Sequence, residues 1–428
     1  MAVQIGCIAD DFTGASDLAG MLQQAGMRTL QVIGVPSGPL SSELDADAVV
    51  IALKSRTAPV AEALADTLAA YRWLQALGVS QLYFKYCSTF DSTDQGNIGP
   101  VIDALLDATG ADLTVVCPAF PENQRTVYKG HLFVGDVLLA ESGMRHHPLT
   151  PMTDSNLVRV LQRQTASPVG LIDHAVVGAG APAIRQRMQA LKEQGVRMAV
   201  ADAIANADLI QIGAACAGLP LVTGGSGLAM GLPQNFPSAS SSASSSQLDD
   251  TPAPRGLRAI VSGSCSQASQ AQLHDALGKG TPGFAVDPLR LASGDGAVQA
   301  VVDDALAWAS PRLQDGPVVI YATAAPDSVR HVQQALGAER AGALIEHTLA
   351  AIAQKLVEAG VRQLIVAGGE TSGAVVTALG VDQLRIGRLI DPGVSWAVSV
   401  SDTPVALALK SGNFGSVDFF SKAWDTAP

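Results

Sequence analysis

Short, unbroken apolar runs alternate with amphipathic stretches of ten to fifteen residues along most of this chain, and that alternation restricts its fold more than any other feature. Strands buried on both faces of a parallel sheet read as continuous apolar runs, and each return crossover needs a helix. In the first half the pattern predicts strands at Val3–Ala9, Leu30–Val35, Ala48–Leu53, Leu82–Cys87, Leu113–Cys117, Val169–Asp173 and Arg197–Ala203. Helices are expected at Gly14–Ala25, Val60–Leu77, Ile98–Ala108, Ala183–Gln194 and up to Ala215. The second half repeats the pattern, with strands at Ala259–Ser262, Val318–Thr323 and Gln363–Val366 and one long helical stretch, Val329–Ala359. VSWAVSVS and VALALKSG read as two adjacent strands, an antiparallel edge. The expected class is α/β, two domains each with a mostly parallel sheet flanked by helices.

At 428 residues the chain exceeds one ordinary core. The Ser/Ala/Pro-rich segment PSASSSASSSQLDDTPAPRG cannot bury apolar area and reads as a linker at 236–256, dividing a domain at 1–235 from one at 257–428. A net charge of −12 argues against a nucleic-acid surface, which needs a basic patch. The beginning, MAVQIGCIADDFTGA, lacks the basic region of a signal peptide, and no apolar run is long enough to span a bilayer, so a cytoplasmic protein without membrane contact is expected. Five scattered cysteines without a C-x-x-C pair read as reduced thiols, and the histidines lack metal-ligand spacing, so no metal-binding residue is assigned. The sequence leaves room for an oligomer.

Ligands of open α/β sheets bind beyond the carboxyl ends of the strands, so the strand-to-helix junctions carry the functional expectations. The first ends in Asp10-Asp11-Phe12-Thr13-Gly14, two carboxylates where a structural chain needs none, although Asp11 or Thr13 would also cap the helix. Residues adjacent on a strand point oppositely, so the two aspartates need not share one site. The third ends in Leu53-Lys54-Ser55-Arg56, whose two cations lie two apart and are expected on one side. The fourth, Lys85 to Thr93 with Cys87-Ser88-Thr89-Phe90-Asp91-Ser92, is rich in hydroxyls suited to a polyhydroxy ligand. In the second half, Gly368-Gly369-Glu370-Thr371-Ser372 is a glycine turn opening a helix, supported by Ser262–Ser266 and Lys410–Gly415, and it suits phosphate. No Walker sequence or kinase catalytic loop is present. Gly178-Ala179-Gly180 and Gly224-Gly225-Ser226-Gly227 read as structural turns, while an NAD-dependent sugar-acid dehydrogenase using one of them stays open as a rival.

ADDFTGA, FKYCSTFDST with GNIGP, CPAFPENQRTVYKGHLFVGD and AGGETSG together resemble the four-carbon acid sugar kinases over both halves. The resemblance implies a sugar-acid-binding first domain, a nucleotide-binding second domain, an active site in the cleft between them, and transfer from ATP to a terminal 4-hydroxyl. It places substrate at Asp10, Asp11, Arg56, Lys85, Ser88 and Thr89, with Asp11 as base and Arg56 or Lys85 near the carboxylate. ATP is expected at Ser264, Ser266, Gly368, Gly369, Glu370, Thr371, Ser372 and Gly412, with Mg²⁺ neutralising charge. Threonate and erythronate kinases tend to show D-S-T-x-R-G where this chain has Asp91 in place of the arginine, which favours a 3-oxo acid over a plain aldonate.

Overall fold

The alternation resolves into a run of mostly parallel strands in each half of the chain. The computed structural model describes residues 3–36, 38, 45–147, 149–236, 254–324 and 326–427, and the chain divides into two compact units, Met1–Gln247 and Leu248–Pro428. Most of the expected linker, residues 237–253, lies outside the described residues.

In the first unit eight parallel strands run in the order Thr29–Ile33, Ala48–Ala52, Ile5–Ala9, Gln81–Lys85, Leu221–Gly224, Thr114–Cys117, Met198–Ala201 and Val169–Ile172. Ile5, Ile8, Val49, Val50 and Val116 have no exposed surface, as strands covered on both faces require. Register sets Ala9 level with Ala52 and Lys85, and Lys85 level with Gly224, so four carboxyl ends finish side by side. A separate antiparallel sheet, Arg125–Tyr128, His131–Val134 and Val137–Leu138, was not anticipated. Its first turn is Lys129-Gly130 with φ of 51° and 72°, the double left-handed turn that suits a two-residue hairpin.

The second unit orders its strands Gly283–Ala285, Val318–Tyr321, Leu257–Ser262, Val361–Ala367 and Ala406–Lys410, all parallel, then Val394–Ser399 and Gln383–Asp391, antiparallel. The expected antiparallel pair at the end is present, but its second member also pairs in parallel with Val361–Ala367. The long helical stretch is two helices, Pro326–Leu336 and Ala338–Glu358, because Gly337 at φ 82° leaves the helical region. Trp396, Phe419 and Phe420 close the core at the far end. All five cysteines are unbridged, and no helix among the described residues is long and apolar enough to cross a membrane.

Candidate active site

Four charged groups gather where the strands of the first unit end. The strand Ile5–Ala9 stops before Asp10, and the extended Asp11 caps the helix Phe12–Gln24, accepting from Gly14 N at 3.1 Å and Thr13 Oγ1 at 2.9 Å. Because strand alternation has ended, the two carboxylates are not directed apart. Arg56 donates to Asp10 through Nε at 2.9 Å and Nη2 at 2.8 Å, and to Asp11 through Nη2 at 2.5 Å. Lys54 does not join Arg56: the strand ends at Ala52, and Lys54 is exposed. Lys85, 4% exposed, brings Nζ within 3.7 Å of Asp11 Oδ1. A Cβ on Gly14 would fall on that Nζ and on Asp11 Oδ1, so the glycine leaves the space in which the lysine and the aspartate meet.

Burial works against charge on both aspartates. For Asp11 the Arg56 and Lys85 charges and the Thr13 hydroxyl outweigh it and hold the carboxyl at about 2. Asp10, with 5% of its side chain exposed against 22% for Asp11, is pushed above the ordinary carboxylate value by its burial. Arg56 stays protonated, its charge favoured by both partners against the cost of its own burial.

Beyond Lys85 the chain turns through Phe90, a buried non-glycine residue at φ 54° stacked edge-on against Tyr86 at 5.3 Å. This turn commits most of its hydroxyls within the protein. Thr89 Oγ1 donates to Asp91 at 2.5 Å, and Ser92 Oγ accepts from Gln164 at 2.8 Å. Ser88 is half-buried, and its hydroxyl has no protein partner among the described residues. Burial pushes the Arg125 guanidinium below its ordinary value, with the Asp91 charge opposing it. Arg125 spends one amino group on the Asn123 carbonyl and buries an unpartnered Nε, with no ion pair among the described residues.

Asp17, which sequence reasoning passed over, sits one turn beyond Gly14, 4% exposed, accepting from Ser226 Oγ while its Oδ1 has no partner. Burial pushes its carboxyl up to about 6 despite the opposing Lys85 charge and Ser226 hydroxyl. A carboxyl raised in the fold contributes stability at low pH that is lost as pH rises toward its folded value. Asp17→Asn is therefore expected to match the parent below pH 4 and to exceed it at pH 7 by about 3 kcal/mol, the equivalent of moving from 3.8 to about 6. The difference in unfolding midpoint between the two across that range measures it, and a constant gap would contradict it.

In the second unit the strands Leu257–Ser262, Val318–Tyr321 and Val361–Ala367 end around a cavity of about 780 Å³. Ser264, Gly368, Gly369, Glu370 and Thr371 line it, together with Asp287 and the helix residues Val332 and Ile345. Gly368 adopts φ 127° and precedes the helix Gly369–Ala378, whose first amides face this end of the sheet. Ser266, Ser372 and Gly412 do not line the cavity. Ser372 is fully buried, and Ser266 caps the helix Gln267–Gly278 while donating to Gly412 O at 2.6 Å. A Cβ on Gly412 would strike Ser264 Oγ, so its loop abuts the cavity wall. Gly224, which ends its strand, and Gly225, which follows it, are tightly packed, with Tyr83 donating to the Gly225 carbonyl.

Comparison with known proteins follows the same division. Residues 5–232 match a family model described as a sugar-binding N-terminal domain, and residues 259–420 one described as a nucleotide-binding C-terminal domain. A 3-oxo-tetronate kinase of Burkholderia multivorans is 59% identical over 98% of this chain and 96% of its own. One of Pseudomonas fluorescens is 58% identical over 98% and 96%. A crystal structure from Salmonella typhimurium LT2 is similar at TM-score 0.87 and 43% identity, covering 98% of both chains.

Proposed function

This chain belongs to the four-carbon acid sugar kinase family, that of its 3-oxo-tetronate kinase relatives, and from that membership we propose that it is a cytoplasmic enzyme converting 3-oxo-tetronate and ATP to 3-oxo-tetronate 4-phosphate and ADP. The observation that carries the reading is the presence of a polar, charged strand-end cluster in one unit and of a glycine-turn cavity in the other. ATP binds the second unit, adenosine in the cavity and terminal phosphates at the Gly368–Thr371 turn, where backbone amides and the helix N-terminus favour anions. No group of three or more His, Cys, Asp or Glu side chains is gathered for a metal among the described residues. The two carboxylates of the cavity lining, Glu370 and Asp287, fit Mg²⁺, which keeps waters and needs only one or two carboxylates beside phosphate, and either would hold it. When bound, Mg²⁺ neutralises charge developing on the transferred group.

The acid's terminal hydroxyl oxygen attacks the γ-phosphorus, the bond to the β-phosphate oxygen breaks, and the hydroxyl proton passes to Asp11. A carboxylate held at about 2 is a weak base. It suffices if the proton moves late, as a loose phosphoryl transition state permits. Arg56 is engaged by Asp10 and Asp11, so its role is to hold them, and the substrate carboxylate is assigned to Arg125 with Lys85. Thr89 is committed to Asp91, so donation to a ketone oxygen at carbon 3 is assigned to Ser88.

ADP release measured over four-carbon acids tests this reading. kcat/KM for 3-oxo-tetronate should exceed that for D-threonate and D-erythronate about tenfold to hundredfold, the result of a polar mismatch of about 1–3 kcal/mol. Arg125→Leu should raise KM for the acid and leave KM for ATP unchanged. Equal efficiency on the aldonates removes the 3-oxo preference, and no turnover on any of them removes the kinase.

A further inference from the structure

The loop after the strand Ala406–Lys410 is built around a buried cation. Lys410 has no exposed surface, and its Nζ donates to the carbonyls of Ser411 at 2.9 Å, Gly412 at 3.0 Å and Phe414 at 3.1 Å, with Ser269 Oγ at 3.3 Å. It forms no ion pair among the described residues. Burial pushes the ammonium down to about 7, while three carbonyl oxygens, which only accept, favour the charged form. The helix Gln267–Gly278 adds to the grip. Ser266 and Ser269 donate to Gly412 O at 2.6 and 3.0 Å, and Gln272 Nε2 reaches the carbonyls of Phe414, Gly415 and Ser416, each at 3.0 Å.

In a trans peptide the N–H points opposite to the C=O of the same unit. Drawing the carbonyls of Ser411, Gly412 and Phe414 inward therefore turns the N–H groups of Gly412, Asn413 and Gly415 outward. Those three amides have no protein acceptor among the described residues. By contrast, Phe414 N and Ser416 N are satisfied, by Ser411 O at 3.2 Å and Asp391 at 2.9 Å. Outward amides, two of them successive at Gly412 and Asn413, make an anion receptor. Gly412 packs on Ser264, a residue of the cavity wall, so the receptor lies beside the nucleotide cavity of the same unit.

We infer that Lys410 is a positioning residue: it grips three peptide units from inside so that the amides of Gly412, Asn413 and Gly415 hold phosphate oxygens of the nucleotide. This rests on the reading of the second unit as the ATP site. The lysine touches no substrate. Its removal frees the loop to rotate its peptide planes, which weakens recognition of phosphates and not of adenosine.

The test is isothermal titration of the full chain and of Lys410→Met with ATP, ADP and adenosine, alongside KM for ATP and for the acid. The expected result is a loss of at least tenfold in affinity for ATP and ADP, with adenosine affinity and KM for the acid unchanged. A merely structural role would lower affinity for all three ligands alike or only the unfolding midpoint, and either outcome overturns the inference. If Lys410→Met does not fold, Gln272→Leu, which removes the side-chain donor to the Phe414, Gly415 and Ser416 carbonyls, decides by the same split: a selective loss for ATP and ADP supports the receptor, and an equal loss or none refutes it. Parent protein without affinity for ATP, ADP or adenosine would instead bring down the reading of the second unit itself.

Discussion

Arg56→Leu is expected to abolish turnover and to destabilise the first unit by about 3–5 kcal/mol, the cost of leaving buried charges without their partner. The guanidinium holds Asp10 by two hydrogen bonds and Asp11 by a third, and Asp10 is almost fully buried. Without it, two carboxylates face one another with only Lys85 nearby, and Asp11 loses the larger of the two charges that keep it ionised. Saturating acid should not restore kcat, since the defect lies in the arrangement of the reacting groups. Asp10→Asn added to Arg56→Leu should recover part of the lost stability, because one uncompensated charge is removed. Thermal unfolding and kcat measured together decide it. A variant of unchanged stability whose only defect is a higher KM for the acid would show that Arg56 reads the substrate directly.

Gly368→Val should lower affinity for ATP by two decades or more while leaving binding of the acid intact. The glycine sits at φ 127°, a region L-residues rarely adopt. An added Cβ would stand 2.9 Å from Thr371 Oγ1 and 3.2 Å from Ser264 N, two groups of residues lining the cavity. The side chain therefore strains the turn and fills the space through which phosphate reaches its amides. Nucleotide titration of the folded variant measures the effect, and unchanged ATP affinity would place the phosphates elsewhere.

The parallel sheets were legible because their strands carry one uniform signal, an apolar run closed by a polar or glycine turn. The hairpin sheet was not: Arg125–Tyr128 and His131–Val134 are four residues each, mix charge with apolar groups, and sit inside a stretch read only as a motif. The polar strand ends were legible in the same way, since Asp10, Arg56 and Lys85 are expensive near the end of buried strands. Lys410 closes ALALK as Lys85 closes QLYFK, and weighing the two alike would have singled it out. What sequence spacing cannot carry is pairing between distant segments. Arg56 turns to Asp10 and Asp11 across 46 and 45 positions, and Thr89 spends its hydroxyl on Asp91 only because Phe90 takes a left-handed turn. The gap in the long helix was visible as Gly337, but a single glycine inside a helical pattern is often tolerated.

The central claim is transfer of the γ-phosphoryl group of ATP to the terminal hydroxyl of a four-carbon 3-oxo acid. Phosphorus NMR of the product formed from 3-oxo-tetronate, with proton coupling to the carbon-4 methylene, tests it most directly. One new phosphomonoester coupled to those two protons, formed in equal amount to ADP, is the expected result. A phosphate coupled to no carbon-bound proton, as on the carboxyl group, or ADP accompanied only by inorganic phosphate, would contradict it.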